Sequence, residues 1–132
     1  MNWEESMPNP KRILIVDDEL DIRTYLSTLF EDQGYITVQA KDGVEAMQKL
    51  QTENPDLITL DISMPEKSGV KFFRDLKSDD QWKKIPIIIV TGVSEDFKKF
   101  ISSRRQVPAP EGFVPKPINR EEILAIVKKL LI

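Results

Sequence analysis

The 132-residue sequence contains no histidine and no cysteine. The missing cysteine excludes disulfides, thiolate nucleophiles and cysteine-based zinc or iron–sulfur sites. The missing histidine excludes Ser-His-Asp triads, imidazole metal sites and a phosphohistidine carried by this chain. No apolar run approaches the ~18 residues that a membrane-crossing helix needs, so no membrane partner is expected. Residues 1–10 show no signal-peptide-like apolar core, and a cytoplasmic location is expected. Nor is there a basic surplus: 19 Lys+Arg stand against 22 Asp+Glu, a formal net charge of −3. Direct nucleic-acid binding by this chain is therefore not expected. Any chemistry falls to carboxylates, hydroxyls, lysine and arginine.

What is present is ordinary globular material, 40% hydrophobic and 31% charged, in a length that suits one compact domain. Residues 1–10 carry two prolines and no periodicity, so a flexible tail is expected there, with one domain over 11–132. Short β-branched runs bounded by Asp, Gly or Pro predict strands at Ile13–Val16, Ile36–Ala40, Leu57–Leu60, Ile87–Val90 and Phe113–Val114. Helical spacing fills the gaps. Ile22, Tyr25, Leu26, Leu29 and Phe30 share one face, which ends before Gly34. Val44, Met47 and Leu50 mark a second helix, with Asp42 at its N-cap and Glu45 three residues on. Val70, Phe73 and Leu76 mark a third, with Phe72 expected off the stripe and partly exposed. Phe97, Phe100 and Ile101 mark a fourth. Ile123, Val127, Leu130 and Leu131 mark a fifth, capped by Asn119.

The alternation is (βα) five times over, which predicts an α/β fold with a doubly wound parallel five-stranded sheet. Pro115 has no N–H for a ladder bond, which sends the fifth strand to an edge. Strand order 2-1-3-4-5 meets that requirement and puts the switch point between strands 1 and 3. Ligands bind open sheets beyond the carboxyl ends of the strands. There the sequence places Asp17 and Asp18 after strand 1, Asp61 after strand 3, Thr91 after strand 4 and Lys116 after strand 5.

Three neighbouring carboxylates stay ionised only with positive charge among them. Mg²⁺, a hard cation content with a few oxygens and several waters, suits such a site, and Lys116 adds a fixed charge. A cation, a lysine and a hydroxyl are what a phosphoryl group in transfer needs, and a carboxylate can be its nucleophile. Each residue also has a plain structural explanation. Asp-Asp before a helix caps it, an Asp near Pro65 and Gly69 starts a turn, and a lysine between prolines is solvated. Four strand ends carrying the right types together favour the chemical explanation.

At these positions the sequence resembles the receiver domain of two-component response regulators. The resemblance lies in ILIVDDE (13–19), LITLDISMPEKSG (57–69), IIIVTG (87–92) and GFVPKP (112–117), in that order. It implies the same 2-1-3-4-5 order, a flavodoxin-like fold. It also implies that Asp61 accepts a phosphoryl group from a sensor histidine kinase or a histidine phosphotransfer protein. Mg²⁺ is implied on Asp18, Asp61 and the Ser63 backbone carbonyl, with Asp17 acting through a water. Lys116 is implied to pair with the phosphoryl group and Thr91 to reorient toward it. Phe113 matches the aromatic switch position, and the Lys116–Pro117 peptide is implied to be cis. A phosphorylation-dependent change at the face of the fourth helix, fifth strand and fifth helix would then alter binding to a downstream effector protein or domain, or to a second copy in a homodimer.

Three departures from the family pattern stand out. Pro115 precedes the lysine, so incomplete pairing of the fifth strand is expected there. The segment 102–112 (SSRRQVPAPEG) is long and proline-rich. Ser63 and Val93 offer little to position a hydrolytic water, so slow-to-moderate self-dephosphorylation is expected, and no other enzymatic activity. Two alternatives compete with the switch. A haloacid-dehalogenase-like phosphatase also forms an aspartyl phosphate, but it wants a second acid where Ser63 stands. An inert pseudo-receiver would be expected to lose one of Asp17, Asp18, Asp61, Thr91 or Lys116. The chain ends at Leu130-Leu131-Ile132 inside an apolar stripe, which fits a stand-alone receiver or part of a larger regulator.

Overall fold

The computed structural model describes residues 9–65, 68–92 and 108–132. Its elements run β1 (Arg12–Val16), α1 (Leu20–Glu31), β2 (Ile36–Ala40), α2 (Gly43–Glu53), β3 (Leu57–Leu60), α3 (Ser68–Lys77), β4 (Ile87–Thr91), β5 (Gly112–Pro115) and α4 (Arg120–Leu130). All strand pairs are parallel, in the order β2-β1-β3-β4-β5. The fold class and strand order read from the sequence are thus those of the structure. The helix read from Phe97, Phe100 and Ile101, together with Val93, lies outside the described residues.

The strands are apolar on both sides because helices cover both faces of the sheet. Leu14, Val16, Ile58, Leu60, Ile87 and Ile89 point toward α2 and α3, meeting Leu50, Phe73 and Leu76. Their sequence neighbours Ile13, Ile15, Leu57, Ile88 and Val90 point toward α1 and α4, meeting Leu26, Phe30, Ile123 and Val127. Phe72 corrects the sequence expectation: it is buried, not partly exposed. The apolar face of α3 is wide enough to carry Gly69, Phe72, Phe73 and Leu76, because it fills the angle between the sheet and α2. Trp82, in the α3–β4 connection, packs on the same cluster.

Local signals set the helix ends. Asp42 accepts the Glu45 N–H at 2.8 Å and Asn119 accepts the Glu122 N–H at 2.9 Å, so α2 and α4 begin with capped donors. After α1 the chain turns through Gly34 at φ +93°, a left-handed conformation that a side chain would resist. At the amino ends of the strands, the buried Lys77 of α3 pairs with Glu111 at 2.7 Å, and Glu111 also accepts the Ile87 N–H at 2.7 Å.

Pro115 corrects a second expectation. It pairs in register with Thr91, and the next residue, Lys116, donates its N–H to the Thr91 carbonyl at 2.7 Å. Successive backbone N–H groups in a strand point to opposite sides, so the N–H that Pro115 lacks would have faced away from β4. No ladder bond is lost.

Candidate functional site

Two backbone hydrogen bonds carry the ladder past the strand ends and fix the acids that follow. The Asp17 N–H donates to Ala40 O at 3.1 Å, and the Asp61 N–H donates to Val16 O at 3.0 Å. Because β1 and β3 are neighbours, the carboxylates of Asp17, Asp18, Glu19 and Asp61 converge, each offering an oxygen within 4.8 Å of the others. Asp17 and Asp61 are buried, whereas Asp18 and Glu19 are exposed. From the end of β5, Lys116 reaches into the cluster. Its Nζ lies 2.9 Å from Asp17 Oδ2, 3.3 Å from Glu19 Oε1 and 3.4 Å from Asp61 Oδ2.

The plain structural explanations fail for Asp17, Asp18 and Lys116 and hold in part for Asp61. Neither Asp17 nor Asp18 caps α1, whose N-cap is Glu19 with no side-chain cap bond. The side chain of Lys116 is only 13% exposed. Asp61 does start a turn, since its Oδ1 accepts both the Ser63 N–H at 2.9 Å and the Ser63 hydroxyl at 2.6 Å. That turn fixes the carboxylate and leaves Oδ2 facing Lys116.

Charge is poorly balanced here, with four carboxylates around one ammonium. Burial pushes the Asp17 carboxyl above the usual aspartate range. The Glu19 N–H and Lys116 pull the other way, while the Asp61 charge adds to the upward push. Burial draws the Lys116 ammonium down, but its bonds and charge interactions with Asp17, Asp61 and Glu19 outweigh that, and the net shift is up. Lys116 is therefore held as a cation. The donor set is all hard oxygen, close together and short of positive charge, which fits a divalent cation such as Mg²⁺.

Thr91 ends β4 beside this cluster, buried, and its hydroxyl has no hydrogen-bond partner among the described residues. Lys116–Pro117 is cis. Phe113 is not brought into the cluster; it stands opposite Ile89 on β5, partly buried against the core. Three contributors escaped the sequence reading. Glu19 joins the cluster although it was read only as part of a motif. Gly69 permits α3 to lie against the Asp61 backbone, since a Cβ there would come within 2.8 Å of Ile62 Cα and closer still to the Asp61 carbonyl. Arg23 Nη1 donates to the Asp17 carbonyl at 2.8 Å. Glu19 had a sequence signal in its adjacency to Asp18 and Gly69 in its place at the end of LITLDISMPEKSG, whereas Arg23 had none.

The response regulator receiver domain family matches residues 13–128. The chain is 36% identical over 121 residues to the alkaline phosphatase synthesis transcriptional regulatory protein PhoP of Bacillus subtilis, covering 92% of this chain and 48% of that protein. It thus spans about half of PhoP. It is 34% identical over 123 residues to the polar-differentiation response regulator DivK of Brucella anthropi, covering 92% of this chain and 97% of DivK. Among solved structures, the chemotaxis response regulator CheY4 of Vibrio cholerae superposes with a TM-score of 0.79 at 31% identity, covering 92% of this chain and 99% of that one. Among the described residues, no helix is long and apolar enough to cross a membrane.

Proposed function

The chain belongs to the response regulator receiver domain family, and from that premise we propose that it is a phosphorylation-dependent switch of a two-component system with Asp61 as phosphoacceptor. Receiver domains are signalling modules, not enzymes in the usual sense. The observation that carries the proposal is the setting of Asp61: buried, 3.4 Å from the Lys116 ammonium, and within 4.8 Å of three further carboxylates.

In this reading Asp61 Oδ2, the oxygen that Ser63 does not hold, attacks phosphorus. The new O–P bond forms as the bond from phosphorus to the donor breaks, and the electron pair leaves with the donor. Lys116 pairs with a peripheral phosphoryl oxygen. The Thr91 hydroxyl, without a partner among the described residues, turns to donate to another. Asp18, Asp61 and the Ser63 backbone carbonyl would hold Mg²⁺, with Asp17 acting through a water. When bound, that ion offsets the negative charge gathered on the phosphoryl oxygens. Phe113 then moves inward as Thr91 leaves its resting position, and the face that includes β5 and α4 changes its affinity for an effector protein, an effector domain or a second copy. The phosphoryl donor is a sensor histidine kinase or a histidine phosphotransfer protein in the cytoplasm, which supplies the histidine that this chain lacks.

The test is incubation with acetyl phosphate and Mg²⁺ followed by intact mass. One phosphoryl adduct is expected on the parent and none on Asp61→Asn. An adduct that persists in Asp61→Asn, or none on the parent, overturns the assignment. Repeated turnover of small phosphate esters would point to a phosphatase instead.

A further inference from the structure

Arg23 takes no part in the chemistry proposed above, yet its side chain is committed to the backbone of the site. Nη1 donates to the Asp17 carbonyl at 2.8 Å, and Nε donates to Gln39 Oε1 on β2 at 3.3 Å. The guanidinium therefore bridges the carboxyl end of β1 to the edge strand beside it. Which carbonyl it holds is the important point. The carbonyl of Asp17 and the N–H of Asp18 belong to one planar peptide unit. Fixing that oxygen fixes the direction in which the chain delivers Asp18.

The two neighbouring acids are restrained by other means. Asp17 is held by its N–H to Ala40, by its carboxylate to the Glu19 N–H at 2.9 Å, and by Lys116. Asp61 is held by Ser63 and Lys116. Asp18 is exposed, and among the described residues its carboxylate has no hydrogen-bond or ion-pair partner. Its place in the carboxylate cluster follows from the backbone alone, and the backbone there is anchored by Arg23.

We propose that Arg23 is a positioning residue of the cation site: by clamping the Asp17–Asp18 peptide it presents the Asp18 carboxylate to a divalent cation that it never touches. The inference rests on the metal reading given above. Outer partners that orient a metal ligand commonly contribute about 10-fold to affinity when their loss is measured. The clamp needs the guanidinium fork, because one planar group must reach both a backbone carbonyl and the Gln39 side chain. A lysine carries the charge without that geometry.

The experiment is calorimetric titration of MgCl₂ into the full chain, parent against Arg23→Ala and Arg23→Lys, with the Tm of each recorded in the absence of Mg²⁺. Both variants are expected to bind Mg²⁺ about 10-fold more weakly than the parent. Phosphorylation by acetyl phosphate is expected to slow at low Mg²⁺ and to recover at saturating Mg²⁺, as a binding defect would and a lost reacting group would not. If Arg23→Ala fails to fold, Arg23→Lys reads the same quantity. Parental Mg²⁺ affinity in the variants, with a lowered Mg²⁺-free Tm, means a merely structural arginine and overturns the proposal. Parental affinity in Arg23→Lys alone means that charge suffices and overturns it too. A parent that binds no Mg²⁺ removes the metal reading itself, which distinguishes that failure from this one.

Discussion

Asp17 shows how a single buried carboxyl sets a pH dependence. Its folded pKa lies above the unfolded value, chiefly through burial. Such a group contributes stability that is fully present below the unfolded pKa of about 3.9 and is lost as pH rises through the folded pKa. As pH rises, without a divalent cation, that contribution to the fold is therefore lost. Asp17→Asn keeps an acceptor for the Glu19 N–H and leaves Lys116 paired with Asp61 and Glu19. A Tm above the parent's is expected at pH 7, and the advantage should shrink as pH falls through the folded Asp17 pKa and be gone below about 4. Thermal melts across pH check this, and a difference that does not vary with pH contradicts it. Gly69 gives a second expectation at the scale of one residue. Gly69→Ala puts a methyl against the Asp61 and Ile62 backbone, where no flexible side chain can yield. Destabilisation of about 1–3 kcal/mol is expected in denaturant melts, with slower adduct formation on Asp61 because the strain falls on its carbonyl.

Among the elements, the pair between α3 and the residue before β5 invites an asymmetric test. Lys77 is almost wholly enclosed, while the side chain of Glu111 remains 33% exposed. Glu111→Gln leaves a buried ammonium without its counter-charge and is expected to cost about 3 kcal/mol. Lys77→Met leaves a carboxylate that can rehydrate and that still accepts the Ile87 N–H, so it is expected to cost only about 1 kcal/mol. Equal costs in chemical denaturation would show that exposure does not govern the pair. This pair also marks where sequence reading stops. The strands were legible because their apolar runs are short and bounded, and the acidic cluster because each strand end carried its residue openly. Lys77 and Glu111 lie 34 positions apart with nothing in spacing to join them. Phe72 departs from the sequence expectation because a stripe of one residue per turn is narrower than the face that α3 buries. Arg23 escaped because its target is a backbone carbonyl, which leaves no trace in side-chain pattern.

For the whole molecule, the cation site proposed above predicts a link between folding and Mg²⁺. If the carboxylate cluster forms only in the folded state, Mg²⁺ binds that state alone and stabilises it by RT ln(1 + [Mg²⁺]/Kd), about 2.7 kcal/mol at one hundred times Kd. The Tm is expected to climb with Mg²⁺ and to stay flat in Asp18→Asn, read by thermal denaturation at constant ionic strength. A climb of equal size in Asp18→Asn would mean that the ion binds elsewhere. A different consequence follows from Pro115. The edges of an open sheet are templates on which another chain can grow. β5 is such an edge, and at Pro115 the side turned away from β4 has no N–H to offer. The proline leaves every bond to β4 intact while interrupting the row of donors that a foreign strand would need. Extension of the sheet by a further strand is therefore disfavoured at this flank, while the pairing of β5 with β4 is untouched.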